Sequence, residues 1–221
     1  MPAQITSYAG LKAGMLAWLA RSGDTLLDSR FDDFLQACER RMYYGQATEE
    51  PGNPLRSDPL RIVEMETSDP AFVLQATVPQ PPAFVELISV LLNSPEALLQ
   101  IVSQRTLDTY GGQSLGHIAK IAVSGANFRV KDDPAGATAT LRYYQKLATP
   151  TGATVNAILT SYPDVYLFGC LIEAAIFTQD ELATQRYLQL YNASVAGLNA
   201  RTQRITASAA PVIRLRAGML P

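Results

Sequence analysis

The chain has 221 residues, 48% of them hydrophobic and only 17% charged, and its formal net charge is −2. This composition can fill a core, and the shortage of charged residues indicates a surface that is partly buried against a partner. The near-neutral charge argues against a protein that coats nucleic acid, and one His with two Cys excludes almost every zinc site built from this chain alone. The apolar run at 9–20 contains Lys12 and is too short to cross a bilayer, so it predicts neither a signal peptide nor a transmembrane span. We expect no membrane partner. Cys38 and Cys170 lie in helical apolar patterns and are predicted to be buried thiols, not a disulfide scaffold.

Apolar residues at helical spacing predict two helices near the start of the chain. Ser7 is a candidate N-cap of the first, which should end near Ser22-Gly23-Asp24. Asp28 or Ser29 can cap the second, which should close at Gly45. The predicted stripes are Leu11, Met15, Trp18 and Leu19 in the first helix, and Phe31, Phe34, Leu35, Cys38 and Met42 in the second.

From about residue 60 to 144 the apolar runs become short and β-branched, and Pro and Gly separate them. Short β-branched runs separated by Pro and Gly predict a small β-rich module. A break at Ser68-Asp69-Pro70 should divide its first two strands, and residues 132–136 should form a hairpin connection between its last two. The predicted strands are 62–67, 72–78, 83–92, 127–131 and 138–144, with a short helix at 104–109.

Helical spacing returns at Ser161, where Pro163 suits a first helical position. The predicted stripe of this third helix is Val165, Phe168, Ile172, Ala175 and Ile176. Glu173 lies among apolar residues of the same helix, so we expect it to form a hydrogen bond or an ion pair with an arginine. A long helix is predicted over 180–207, with Leu190, Ser194, Leu198, Arg201 and Ile205 along one face.

Together these elements predict an α+β fold that is mainly α. Residues 1–57 and 151–207 each form a helical pair, and the two pairs make one four-helix domain. Residues 58–150 are the inserted β-rich module, and 208–221 are an extended arm.

Charge is unevenly distributed along the chain. Residues 1–181 carry 13 basic and 20 acidic side chains, whereas 182–221 carry five arginines and no acid. In the arm, Ile213 and Leu215 alternate with Arg214 and Arg216, which is the period of an extended segment with one apolar and one cationic face. We therefore expect the arm to dock onto a partner. The predicted docking residues are Val212, Ile213, Arg214, Leu215, Arg216, Met219 and Leu220.

The chemical motifs are few, and each has a structural explanation. Gly112-Gln113-Ser114-Leu115-Gly116 matches a hydrolase nucleophile elbow, but a polar segment precedes it and the chain's one histidine, His117, follows directly. Glu64 with Glu66 on one strand face, and Asp132 with Asp133 in a turn, lack convergent ligands. The sequence thus predicts no catalytic, cofactor or metal site, and a Ser114–His117 hydrolase stays an unfavoured alternative.

Several segments resemble phage head-to-tail adaptor proteins in their order and spacing. The segment Phe31–Arg41 is similar to the family's F-x-x-L-A-E-x-R-I helix, and 163–175 is similar to its P-D-x-Y-L-Y-G-x-L-x-E-A helix. The other matching segments are 7–12, 18–21, 65–67, 83–87 and 141–146. The stretch 94–116 and the arm after 208 depart from the family pattern.

The resemblance implies a structural virion protein rather than an enzyme, without cofactors. It implies a ring of twelve copies at the head–tail junction, assembled in the bacterial cytoplasm. Such a ring would bind the portal on one side and tail or nozzle proteins on the other, and would let double-stranded DNA pass without specific binding. The alternatives are another virion ring protein, such as a tail-tube or collar component, or a small helical regulator of the host.

Overall fold

A computed structural model of the chain describes residues 5–46, 55–94, 96–109, 119–131 and 136–206. These residues form seven helices and two four-stranded sheets, so the predicted α+β class is confirmed. They divide into two compact units: unit 1 lies within Met1–Gly14 and Val63–Pro163, and unit 2 within Met15–Ile62 and Asp164–Pro221. No helix in the described part of the chain is long and apolar enough to span a bilayer.

The four long helices lie where the sequence predicts helices, and three short ones accompany them. The helices are α1 (Tyr8–Trp18), α2 (Thr25–Ser29), α3 (Phe31–Tyr44), α4 (Gln104–Thr109), α5 (Ala157–Ser161), α6 (Pro163–Phe177) and α7 (Glu181–Thr206), with a 3-10 turn at Val63–Met65. The strands are β1 (Glu66–Val73), β2 (Thr77–Pro79), β3 (Phe84–Asn93), β4 (Glu96–Leu98), β5 (Gln100–Ile101), β6 (Lys120–Ser124), β7 (Asn127–Lys131) and β8 (Thr138–Gln145).

Unit 1 contains both sheets, which contribute to one hydrophobic core. The strand orders are β1-β8-β3-β4 and β2-β7-β6-β5. Leu87 and Leu141 of the first sheet and Ile121 and Phe128 of the second are all buried in this core. Strand β7 shows the expected period of two, since Phe128 and Val130 are buried whereas the residues between and beside them are more exposed.

The predicted break at Ser68-Asp69-Pro70 is wrong, because β1 runs through these residues. The register of β1 against β8 shifts between Asp69 and Phe72, which marks a bulge. Since β1 is an edge strand, Pro70 can occupy it without removing a hydrogen bond from the middle of the sheet. The first part of the strand predicted at 62–67 forms the 3-10 turn at Val63–Met65 instead.

The predicted hairpin between 127–131 and 138–144 is also wrong. Strand β7 pairs with β6 and β2, whereas β8 pairs with β1 and β3, so the two strands lie in different sheets. The hairpin in this region joins β6 to β7, and Gly125 supplies the positive φ of its turn. Residues 132–135 lie outside the described residues.

Unit 2 is organised around α6, which is buried on nearly all sides. The predicted α3 stripe is confirmed, because Phe31, Phe34, Leu35, Cys38 and Met42 are all buried. In α1, Leu11 and Met15 are buried as predicted, but Trp18 is half exposed and packs edge-on against Phe168.

The face of α7 that carries the five residues named from the sequence is not its buried face. Leu190, Ser194 and Leu198 are partly exposed, and Arg201 and Ile205 are exposed. The buried residues are Thr184, Tyr187, Leu188, Tyr191, Val195 and Thr202. Two tyrosine rings, Tyr187 and Tyr191, supply much of the inward apolar surface of this helix.

Two asparagines of α7 form hydrogen bonds with the segment 56–61 of unit 2. The Asn192 side-chain amide donates to the Arg56 carbonyl at 3.0 Å, and that of Asn199 donates to the Pro59 carbonyl at 2.9 Å. Asn199 Oδ1 also accepts from the Arg61 backbone N–H at 2.7 Å. Seven positions separate the two asparagines, which is about two helical turns, so both project from one face of α7.

Candidate interaction surfaces

Several residues that were considered as candidate site residues lie outside the part of the chain that the structure describes. They include Ser114 and His117, from the match to a hydrolase nucleophile elbow and the residue that follows it, and the turn residues Asp132 and Asp133. The predicted docking residues Val212, Ile213, Arg214, Leu215, Arg216, Met219 and Leu220 also lie outside it.

Glu64 and Glu66 do not form a paired-carboxylate site. Glu64 lies in the 3-10 turn and accepts a hydrogen bond from the Tyr162 hydroxyl at 2.7 Å. Glu66 lies on β1 and pairs with Arg142 at 3.0 Å. Among the described residues no group of three or more His, Cys, Asp or Glu side chains could hold a metal ion.

Glu173 forms the ion pair that the sequence predicts. Its Oε1 accepts from Arg41 Nη2 at 2.7 Å and from Arg41 Nε at 3.0 Å, which joins α6 to α3. Arg41 is 5% exposed and Glu173 16%, so most of both charges is withdrawn from water. Arg41 Nη1 also donates to the Leu55 carbonyl at 3.3 Å. Arg41 therefore joins α3 both to α6, through Glu173, and to Leu55.

A second buried carboxylate, which the sequence analysis missed, lies on the same helices. Glu39 accepts a hydrogen bond from the Tyr166 hydroxyl at 2.9 Å. Tyr191 lies in this core with its hydroxyl unpaired among the described residues, and burial raises the pKa of Tyr191 well above its usual value. These buried groups stabilise the packing of the helices.

Cys38 and Cys170 are free and fully buried, as the sequence predicts. A hydrogen bond with the Cys170 thiol, and burial as the next cause, raises the pKa of Cys38 well above its usual value. The Cys38 thiol also lies 3.8 Å from the Tyr166 carbonyl oxygen. Both thiols are shielded by burial, so they behave as small apolar residues rather than nucleophiles.

The turn between α6 and α7 forms an open groove of about 660 Å³, here called the elbow groove. Its described lining residues are Leu55, Ala175, Ile176, Gln179, Asp180, Glu181, Thr184 and Gln185. Asp180 caps α7 by accepting from the Ala183 N–H at 2.9 Å, and Gln179 has a positive φ. This described lining is apolar on the α6 side, and its charged residues are Asp180 and Glu181.

Large apolar side chains are exposed around this turn. Ile176 is 42% exposed, Phe177 46% and Leu182 81%. A cluster of such residues beside a groove is typical of a surface that another protein covers. Ile176 belongs to the stripe predicted for this helix from its spacing, whereas no sequence pattern singled out Leu182.

Much of the exposed face of α7 is uncharged. No charged residue lies between Arg186 and Arg201, and Ala193, Ala196 and Gly197 are exposed in this interval. Arg204 follows in the last turn, next to Ile205, which is 51% exposed. The end of α7 is therefore apolar and cationic, whereas the groove at its start is apolar and acidic.

A family model described as SU10 adaptor protein matches residues 6–215, which is nearly the whole chain. No match was found among curated proteins. The chain therefore belongs to the SU10 adaptor protein family, a family of phage head-to-tail adaptors that are structural proteins and not enzymes.

Proposed function

We propose, because this chain belongs to the SU10 adaptor protein family, that it forms a ring beneath the phage portal and joins the portal to the tail. The observation that carries the proposal is the family match over residues 6–215. A phage structural adaptor is a virion component that contacts other virion proteins. The portal on one side and tail or nozzle proteins on the other are the partners we assign to it.

The exposed surface of unit 2 supports a role in assembly. The elbow groove, the exposed Leu182 and the uncharged stretch of α7 form surfaces that water solvates poorly. They also account for the low charge of the chain, since surfaces buried between subunits are depleted in charged residues.

We assign twelve copies to the ring and part of the DNA channel to its inner wall. In this proposal, residues 1–57 and 151–207 form the four-helix adaptor domain, with the β-rich module 58–150 inserted between them. The wall should be acidic or neutral, because dense Lys and Arg contacts to phosphates would retard sliding DNA. The net charge of −2 per copy agrees with such a wall. Ring assembly would take place in the bacterial cytoplasm.

The arm 208–221 is the proposed portal anchor. Its arginines could meet portal carboxylates while its apolar residues fill pockets or extend a sheet edge. The anchoring residues are Val212, Ile213, Arg214, Leu215, Arg216, Met219 and Leu220.

Mass measurement of isolated portal–tail complexes tests the function. We expect a complex that contains the portal and twelve copies of this chain. A tail-tube or collar component would instead copurify with tails that lack the portal, and a host regulator would be absent from virions. Either result would overturn the proposal.

A further inference from the structure

The two ends of α7 carry complementary surfaces. At its start, the elbow groove is lined by Ile176 and the carboxylates of Asp180 and Glu181, and the exposed Leu182 follows Glu181 directly in the chain. At its end, Arg204 is exposed beside the half-exposed Ile205. Each surface offers an apolar contact and a charge of the sign opposite to the other.

The two surfaces cannot meet within one copy of the chain. Glu181 and Arg204 are 23 positions apart in one continuous helix, which separates them by about 35 Å at 1.5 Å per residue. A charge pair over that distance in water is screened away, because the Debye length at physiological salt is about 8 Å. Their complementarity can be used only between copies.

We propose that the elbow groove of one copy receives the C-terminal end of α7 from a second copy. Arg204 then pairs with Glu181, and Ile205 packs against Leu182 and Ile176. The contact removes from water the largest described apolar exposure on the chain, the 81% exposed Leu182.

This contact is head-to-tail, because it joins two different surfaces of the same chain. Repeated contacts of this kind close into a ring when the rotation per copy divides a full turn. The inference thus rests on the proposed ring function and assigns a surface to its copy-to-copy contact. It differs from the portal anchor, which lies in residues 208–221.

Charge reversal tests the pairing. Glu181→Arg and Arg204→Glu should each abolish assembly of the full-length chain in native mass spectrometry, because either change places like charges at every contact. The double variant E181R/R204E should regain assembly. An equimolar mixture of the two single variants should also regain it, since each reversed groove can then receive a reversed helix end.

Two exposed residues outside both surfaces provide matched controls. Arg40→Glu and Glu96→Arg make the same changes in net charge at exposed positions and should leave assembly unchanged. Circular dichroism should show equal helicity in every variant. The proposal is overturned if the single variants assemble as the wild type does, or if both the double variant and the mixture stay unassembled.

Cross-linking in purified phage particles gives a readout that does not require assembly in solution. In the L182C/I205C variant, a short bismaleimide should join neighbouring copies into a ladder of covalent oligomers. Neither single-cysteine variant should form the ladder, and the buried Cys38 and Cys170 should contribute none. Particles with many copies but no ladder would refute this contact alone, whereas particles without multiple copies would refute the proposed function itself.

Discussion

At the scale of single residues, Gly169 allows α3 and α6 to approach closely. A Cβ atom at this position would lie 2.3 Å from Cys38 Sγ and 3.3 Å from Cys38 Cβ, far inside van der Waals contact. We expect Gly169→Ala to destabilise the protein by about 1–3 kcal/mol, the usual effect of an overpacked core, as measured by urea denaturation.

Two further variants distinguish this clash from the helix propensity of alanine. Gly197→Ala adds a methyl group to α7 with nothing within 4 Å, and should stabilise the helix by about 0.5–1 kcal/mol. Cys38→Ala removes the sulfur, so its effect should be far from additive with that of Gly169→Ala. Strict additivity would show that the sulfur is not the obstacle.

The Arg41–Glu173 pair is the second feature at this scale. Glu173→Gln leaves the nearly buried Arg41 guanidinium without its counter-charge, and we expect a loss of about 3 kcal/mol of stability. Asp33→Asn breaks the exposed pair with Arg30 and should cost no more than about 1 kcal/mol. If thermal unfolding gives equal losses for both variants, the burial of the Arg41 pair has no energetic role.

At the scale of elements, the asparagine contacts of α7 fix a segment that has no regular secondary structure. Asn199→Ala removes two hydrogen bonds, one to the Pro59 carbonyl and one from the Arg61 N–H, and should cost about 1–3 kcal/mol. Asn192→Ala removes one bond and should cost less. Gln203→Ala, at an exposed site on the same helix, should change the free energy of unfolding by under about 0.5 kcal/mol.

Helix positions were more predictable from sequence than strand partners, because 3.6-residue spacing is a local signal. The predicted cap at Asp28 or Ser29 is wrong, since both residues lie within α2, which Asp24 caps, and Arg30 precedes α3 without a side-chain cap. The predicted short helix is α4 at Gln104–Thr109, Pro163 begins α6, and the predicted 180–207 helix is α7 at Glu181–Thr206. Strand partners were not predictable, because pairing joins residues far apart in sequence. Hence β7 and β8 were assigned to one hairpin, although they belong to different sheets.

Candidate sites were predictable where the signal is local in the sequence, and were not predictable where the site depends on contacts between distant residues. Glu173 was identifiable because a carboxylate among apolar helix residues requires a partner, although nothing in the pattern singled out Arg41 over other arginines. The elbow groove could not be predicted, because it depends on how α6, α7 and Leu55 meet. The exposure of Leu182 is likewise decided by packing, since helical spacing alone does not show which leucines remain outside.

At the scale of the whole molecule, the proposed portal anchor and the proposed copy-to-copy contact lie in separate parts of the chain and should fail separately. Deletion of residues 208–221 removes Arg214 and Arg216 but leaves Glu181, Leu182 and Arg204 intact. We expect the truncated protein to keep its helicity and its assembly in native mass spectrometry, and to lose co-sedimentation with portal rings.

The Glu181→Arg variant should behave in the opposite way. It keeps the arm, so single copies should still bind portal rings, but assembly in native mass spectrometry should be lost because the elbow groove now repels Arg204. Co-sedimentation with portals and native mass spectrometry, measured on both variants, distinguish the two roles. If the truncated protein sediments with portals as well as the intact chain does, the anchor lies on the helices and not in the arm.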